Sequence, residues 1–470
     1  MAEIYLTNTL TYKKEKFIPI KEGFVGIYSC GPTVYWNQHI GHMFAYVQWD
    51  ILVRFLRYMG YKVKWVMNLT DVGHMTSDED KGQDKMEKGA KREGLSVWDI
   101  ANKYIDQFKD SLNLLNINCP DVLCRATENI NEQINLIKKI EDNGFTYKTK
   151  TGLVFDTSKF PDYAKFANLN LEKLKSGSRV VVDKEKKQPW DFLLWVTNQP
   201  NHIMQWDSPW GRGFPGWHIE CTAMSSKYLG NKFDIHTGGK EHIPVHHTNE
   251  IAQAYGAEGT QTANYWLHNE WLLIDGKKMS KSTGDFLTVQ DIFKKGYEPL
   301  ALRYLFLNSH YKKGLDFSFE SLKAADAGLK KLRQLATSFK SGIRTTLSPE
   351  KNIKIKKFQD EFIGVLSDGL NISQALAVTW NMVKSNIPSE DKYDLLMNFD
   401  EVLGLNLRKE EKIILSDEIK NLGKKREDLR KLGKFDEADE IRKQIEEKGF
   451  KLEDTKKGIL IKPVQNAKIQ

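Results

Sequence analysis

Cysteine is scarce: Cys30, Cys119, Cys124 and Cys221 stand scattered through 470 residues, and none forms a Cys-x-x-Cys pair. That excludes a disulfide framework. Long apolar runs are missing as well. Stretches such as Phe192 to Val196 and Trp271 to Ile274 fall far short of the roughly 18 apolar residues a bilayer span needs, so no membrane helix is expected. The N-terminus, MAEIYLTNTLTYKKEKF, has no apolar run after a basic start and no small-residue cleavage site, and the chain reads as cytoplasmic. Charge of one sign is in little excess: 70 Lys and Arg against 62 Asp and Glu leave +8. That is weaker than the basic stripe of a dedicated nucleic-acid binder, though it permits a polyanionic partner. No internal repeat and no low-complexity tract is present.

What is there describes a folded, soluble chain, with 40% hydrophobic and 28% charged residues. At roughly 100 to 200 residues per domain, the length predicts about two to four domains. Val25 to Cys30 is a short β-favouring run that stops at Gly31-Pro32. His42 to Tyr58 carries apolar residues Phe44, Val47, Ile51, Leu52 and Phe55 at helical spacing, and Lys62 to Met67 reads as the next strand. Strand, turn, helix and strand in this order form the βαβ unit of a parallel sheet, whose ligands bind beyond the carboxyl ends of the strands.

From about 96 to 200 the pattern becomes helical and then mixed, with short β runs LVFD and SRVVVD, and is read as an inserted subdomain. Strands resume at Phe233 to His236 and Trp271 to Ile274, with a helix between them beginning near His246. A catalytic α/β domain over 1–310 is therefore expected to be followed by a helical bundle over 311–407, in which 341–357 reads as a loop. A small C-terminal module over 408–470 would hold two charged helices and a hairpin.

Two strings suggest phosphate chemistry. His39-Ile40-Gly41-His42 lies at the start of the first helix, where backbone N–H groups and the helix dipole attract anions. Two imidazoles about a turn apart can donate to a triphosphate, and Gly41 leaves room for a planar base to approach the backbone. Lys278-Met279-Ser280-Lys281-Ser282 follows the turn signal Asp275-Gly276. A short loop with two lysines could close over phosphates and neutralise a leaving pyrophosphate. His246 and Glu250 are four apart, so a helix presents both on one face, a spacing suited to zinc. Spacing alone does not join Cys30 or Cys221 to that pair. Cys119 and Cys124 read as ordinary thiols.

Together the two strings resemble the signature of class I aminoacyl-tRNA synthetases. Within that class the chain is similar to the cysteinyl-tRNA synthetases, through YSCGPTVYWNQHIGH (28–42), GWHIECTAM (216–224), HHTNEIAQA (246–254) and IDGKKMSKSTG (274–284). The likeness extends from the N-terminal LTNTLT to the C-terminal LEDTKKG. It implies an α/β fold with a Rossmann-type parallel-sheet catalytic domain, an inserted subdomain, a helical bundle and a small C-terminal α/β module that would touch the anticodon. It also implies one zinc per chain held by Cys30, Cys221, His246 and Glu250, and ATP with magnesium as substrate. Catalytic roles fall on His39, His42, Lys278 and Lys281. Gly41 and Lys281 would contact the nucleotide, while Trp217, Thr70 and His236 would line the pocket for cysteine, and Asp71 could accept from the substrate ammonium. The reaction implied joins cysteine to the 3′ end of the cysteine tRNA. Zinc would favour a thiolate over the serine hydroxyl, a swap that a hydrophobic pocket discriminates poorly. A monomer is expected, since no coiled-coil seam is apparent.

The chain departs from the family's usual pattern in several places. The run after Asp71 reads VGHMTSDEDKGQDKMEKGA, Phe214 stands where Arg is common, Thr237 replaces a glycine, Glu241 an Asp and Asp285 an Asn. Lys424, Lys425, Arg426, Arg430 and Lys431 form a basic cluster in an otherwise nearly balanced C-terminal segment. Competing readings are a cysteine:amino-sugar ligase, which would lack the C-terminal module, a small nucleotidyltransferase, which would be much shorter and would not need the zinc set, and a non-catalytic RNA-binding relative, which would not need these side chains.

Overall fold

Alternating β-favouring and helical segments build a five-stranded parallel sheet. Its strands are β1 (Phe24–Ser29), β2 (Lys62–Leu69), β3 (Val122–Arg125), β4 (Phe233–Gly239) and β5 (Ala263–Asn269), in spatial order β5-β4-β1-β2-β3. The computed structural model describes residues 2–72, 84–169, 185–278, 286–340, 348–409, 417–448, 450–455 and 458–463. Helix α1 (Ile40–Tyr58) crosses from β1 to β2, burying Phe44, Val47, Ile51, Leu52, Phe55 and Leu56. This order reverses between β1 and β4, so the crevice beyond their carboxyl ends is the expected ligand site of a doubly wound sheet.

β3 corrects the expected insertion boundary. Its four residues lie between helices Val97–Leu114 and Ile130–Asp142, so helical periodicity dominates that part of the sequence and hid an edge strand of the main sheet. The separate antiparallel sheet begins only at Thr146–Thr149 and continues through Gly152–Phe155, Phe192–Thr197 and Gly213–Pro215. The SRVVVD run lies outside the described residues.

The hairpin Leu272–Ile274 with Lys277–Lys278 turns at Asp275 and Gly276, both at positive φ (50° and 71°). That is the Asp-Gly hairpin turn whose backbone twist suits paired strands. Leu315–Phe317 adds a parallel strand to it, inside the region read as a helical bundle. The bundle then runs through Phe319–Lys340, Pro349–Ser367, Ile372–Lys384 and Ser389–Leu403. The second half of the expected 341–357 loop is instead helical, because Ser348 caps a helix beginning at Pro349, and proline suits a first helical turn; 341–347 lie outside the described residues. Arg303, fully buried, ties bundle to sheet: it donates to Asp50 of α1 at 2.7 Å and to the Leu403 carbonyl at 2.8 Å.

The chain divides into two compact units, 1–408 and 409–470. The second contains helices Asp417–Lys431 and Phe435–Glu447 and an antiparallel hairpin, around Ile419, Ile441, Ile445, Leu452 and Ile461. Within the basic cluster there, Arg426 is buried whereas Lys424, Lys425, Arg430 and Lys431 are exposed. Among the described residues no helix is long and apolar enough to cross a membrane.

Candidate functional site

A cavity of about 460 Å³ opens where β1 and β4 end, and its wall includes Cys30, His39, Gly41, His42, Gly238 and Gly239. Of the residues predicted to form the site, Cys221, His246, Glu250, Trp217, Thr70 and His236 are not among the described residues lining it. Trp36, Lys85, Glu241, His242 and Trp271, to which no role was assigned, are.

One end of the cavity is the start of α1. His39 is the N-cap, its Nδ1 accepting from the His42 N–H at 3.2 Å, and the two rings stack at 3.6 Å. No acidic residue stands in the first turn, so that turn itself does not cancel the positive helix terminus. The predicted lysine loop is bracketed here. Lys278 closes the hairpin, and on the other side the Ile40 N–H donates to the Leu287 carbonyl while Phe286 meets the His39 ring edge-on at 5.4 Å. Met279 to Asp285, including Lys281 and Asp285, lie outside the described residues, as does the Lys278 side chain.

The other end is a buried donor cluster. Ligating atoms of Cys30, His246, His247 and Glu250 all lie within 4.8 Å of one another. Cys30 Sγ stands 3.2 Å from His247 Nε2 and 3.5 Å from His246 Nε2, and Glu250 Oε1 is 3.1 Å from His246 Nε2. Cys221 lies outside that tight group, yet it is fully buried on helix Ile219–Leu229.

His247 was missed by sequence reasoning because successive residues of an α-helix diverge by about 100°, so His246 and His247 should not face one point. A single π-helical turn over Ile243–His247, ahead of the α-helix Thr248–Glu258, brings both there. Such widened turns recur at functional sites, and the His-His string was the available signal. Gly238 makes room, since a Cβ there would sit 2.5 Å from His247 Cε1 and 2.7 Å from His242 Nδ1.

Outer bonds orient the cluster. His236 Nε2 meets Glu250 Oε2 at 2.9 Å, its ring stacked on Trp266 at 4.3 Å, so His236 supports a donor instead of lining the cavity. His247 Nδ1 lies 2.6 Å from His268 Nε2, whose Nδ1 reaches Thr9 Oγ1 at 2.8 Å. Burial opposes charge on Glu250, but His236 and His246 outweigh it and hold its carboxyl down at about 2. Burial likewise opposes ionisation of Cys30, yet the Cys221 hydrogen bond and the His246 charge bring its thiol well below the usual range. Burial and the same bond push Cys221 well up. His247 is driven well below the ordinary imidazole range by burial and then by His236. Two sulfurs, neutral imidazole and carboxylate are zinc-ligand types, and carboxylates and histidines oriented from behind are the usual support of a metal site.

Asp71 is otherwise engaged: its carboxylate accepts from the Thr127 N–H at 2.9 Å and the Thr127 hydroxyl at 2.7 Å. Thr70 sits at the end of β2, its backbone paired with Pro32 and Val34.

The reversed parallel sheet, with its site beyond the strand ends, defines a doubly wound nucleotide-binding fold, and the comparisons assign it to the class I synthetases. Residues 16–327 match the family model of the class I (C) tRNA synthetase catalytic domain. Methionyl-tRNA synthetase of Mycobacterium tuberculosis bound by methionyl-adenylate superposes with a TM-score of 0.57 at 14% identity, over 81% of this chain and 90% of that one, a likeness of fold. A cysteine–tRNA ligase of Treponema denticola is 45% identical, covering 96% of this chain and 97% of that protein, and one of Thermus thermophilus is 38% identical, covering 97% and 98%. The chain belongs to the cysteine–tRNA ligase family of ATP-dependent, class I aminoacyl-tRNA synthetases.

Proposed function

We propose that the chain activates cysteine with ATP and transfers it to the 3′ end of the cysteine tRNA, with zinc selecting the thiol. The observation that carries this reading is that one cavity touches both groups: Cys30 of the donor cluster and His39, Gly41 and His42 of the helix start share its wall. A small amino acid and a nucleotide side by side would span the two.

In the first step a cysteine carboxylate oxygen attacks the α-phosphorus of ATP, the bond to the β-phosphate oxygen breaks, and pyrophosphate leaves. In the second a ribose hydroxyl of the tRNA 3′ end attacks the carbonyl carbon, and AMP leaves with the bridging oxygen. Positioning and charge stabilisation do most of this work. His39 and His42 donate to phosphate oxygens, aided by the N-terminal N–H groups of α1. By the sequence resemblance Lys281, assisted by Lys278, would reach the phosphates from the other side, and magnesium would accompany ATP.

Cys30, Cys221, His246 and Glu250 would hold the zinc, with His247 in reach. Bound there, zinc supplies an affinity for thiolate that serine's hydroxyl does not satisfy. His236 keeps Glu250 ionised and aimed. The exposed Lys424, Lys425, Arg430 and Lys431 are among the cations of the C-terminal unit that would face the tRNA.

Exchange of labelled pyrophosphate into ATP, run with cysteine and serine in parallel and followed by charging of the cysteine tRNA, tests the reading. Cysteine-dependent exchange with little response to serine is expected. Exchange with neither amino acid would overturn it in favour of a non-catalytic relative, and exchange without tRNA charging would favour the amino-sugar ligase.

A further inference from the structure

We infer that Lys85 is a catalytic residue that contacts the phosphates of the bound ATP. The inference rests on the reading that the cavity takes ATP. Lys85 is the one lysine or arginine among the described residues lining it, and it shares that lining with His39 and His42. Adenylate formation moves negative charge onto the leaving pyrophosphate, and a fixed cation in a walled cavity stabilises such charge far better than one in open water. Helix stability gives no reason for the residue. Lys85 stands first in helix α2 (Lys85–Glu93), where the dipole disfavours a cation. An anion in the cavity supplies the reason.

The main chain that carries Lys85 is clamped at both ends of α2. At its start the buried Asp84 accepts from the Met86 N–H at 2.7 Å and the Glu87 N–H at 3.1 Å. That cap occupies two of the helix's unpaired N–H groups, so the anion-binding group offered here is the ammonium rather than the helix terminus. The other carboxylate oxygen of Asp84 lies 3.3 Å from His202 Nε2. The His202 ring, with its Nδ1 3.0 Å from the Met204 carbonyl, stacks on the buried Phe214 at 3.9 Å, and the neighbouring Ile203 N–H donates to Glu87 at 2.8 Å. At the far end Arg92 lies over the Trp36 ring at 3.5 Å and donates to the Tyr35 carbonyl at 3.0 Å. Gly89 admits this close approach, since a Cβ there would fall 3.0 Å from the same carbonyl oxygen. Tyr35 and Trp36 themselves line the cavity. With the backbone fixed on both sides, only the lysine's own rotamers remain to be ordered when ATP arrives, which is the preorganisation that charge stabilisation requires.

Lys85→Ala removes the ammonium and keeps a strong helix former at the helix start. Equilibrium binding of ATP, pyrophosphate and adenosine and the kinetics of cysteine-dependent exchange read its effect, with thermal unfolding as the check on folding. The variant is expected to raise the Kd for ATP and for pyrophosphate about tenfold, the scale of a lost hydrogen bond to a charged group, and to leave that for adenosine within about twofold. Its exchange kcat should fall about 100-fold, as removal of one preorganised donor does. Lys85→Arg, which keeps a cation, should retain most of the ATP affinity. Unchanged binding of ATP and of pyrophosphate in Lys85→Ala would overturn the inference. So would an equal loss for ATP and adenosine, which would make the lysine a merely structural wall. A raised KM for cysteine alone would overturn it by placing the lysine on the amino-acid carboxylate, and loss of tRNA charging with exchange intact would do so by placing it at the tRNA 3′ end. If the unaltered protein binds ATP and Lys85→Ala loses it selectively over adenosine, but no cysteine-dependent exchange is seen, the proposed function fails and the inference stands. If the unaltered protein binds no ATP, both fail.

Discussion

His39 and His42 at one end of the cavity, and His236, His246 and His247 at the other, are one type of side chain used under opposite conditions. The first pair is half-buried and held by a helix cap and a ring stack. In the second group His236 and His247 are fully buried, and each ring has a partner at hydrogen-bond distance in the interior. A ligand that arrives with its own charge, such as a triphosphate, needs donors that stay hydrated until it binds. A resident metal needs donors already stripped of water and fixed in orientation, because each must be neutral or paired before it is buried. The difference predicts that the two ends can be disabled separately.

The largest effect is expected at the buried end. Cys30→Ser should cut zinc affinity by more than about 100-fold, beyond what a supporting residue costs, and cysteine-dependent exchange should fall with it, while ATP binding persists. Metal analysis after chelator dialysis and ATP titration check this, and loss of ATP binding would merge the two ends. Next, His42→Ala should lower the exchange kcat by about 10²- to 10³-fold, as removal of one preorganised donor does, with zinc content unchanged. A smaller effect is expected behind the cluster. His236→Gln should weaken zinc binding by about 10- to 100-fold, measured by competition with a chelator, and an unchanged affinity would show that Glu250 needs no orienting partner.

The smallest effect separates interior from surface in acid. Glu93 and Glu250 are both held down at about 2, but by different neighbours. For Glu93 burial is opposed by Lys103, Tyr104 and Arg92 near the surface. A depressed carboxyl stabilises the fold above its unfolded value of ~4.3 and loses that contribution as pH falls toward 2. Glu93→Gln should therefore cost about 1 kcal/mol near pH 7, less in high salt, and nothing near pH 2. Urea unfolding at several pH values and salt concentrations reads this, and a salt-independent cost would make Glu93 behave like an interior group.

Much of this protein was legible in its residues. Short strings with unusual composition, His39 to His42 and Lys278 to Ser282, suggested phosphate chemistry because few structural needs place paired imidazoles or lysines beside glycines, and only the first lies wholly within the described residues. Long amphipathic runs such as α1 were clear because thirteen of its nineteen residues are buried. The strand at Val122–Arg125 was not, since four residues between two long helices carry too little periodicity to outweigh them. Arg426 counted as one more surface cation until packing buried it.

Local sequence by itself determined that an α/β chain of this family would place paired imidazoles, cysteine and carboxylate after particular strands, because turn chemistry, helix starts and side-chain types act over a few residues. Only the tertiary structure decided which side chains meet. The π-helical turn that adds His247 to the cluster, the support of Glu250 by His236, and the meeting of Asp84 with His202 depend on backbone register and on segments far apart in the chain, and no local spacing encodes distances set by the packing of a sheet.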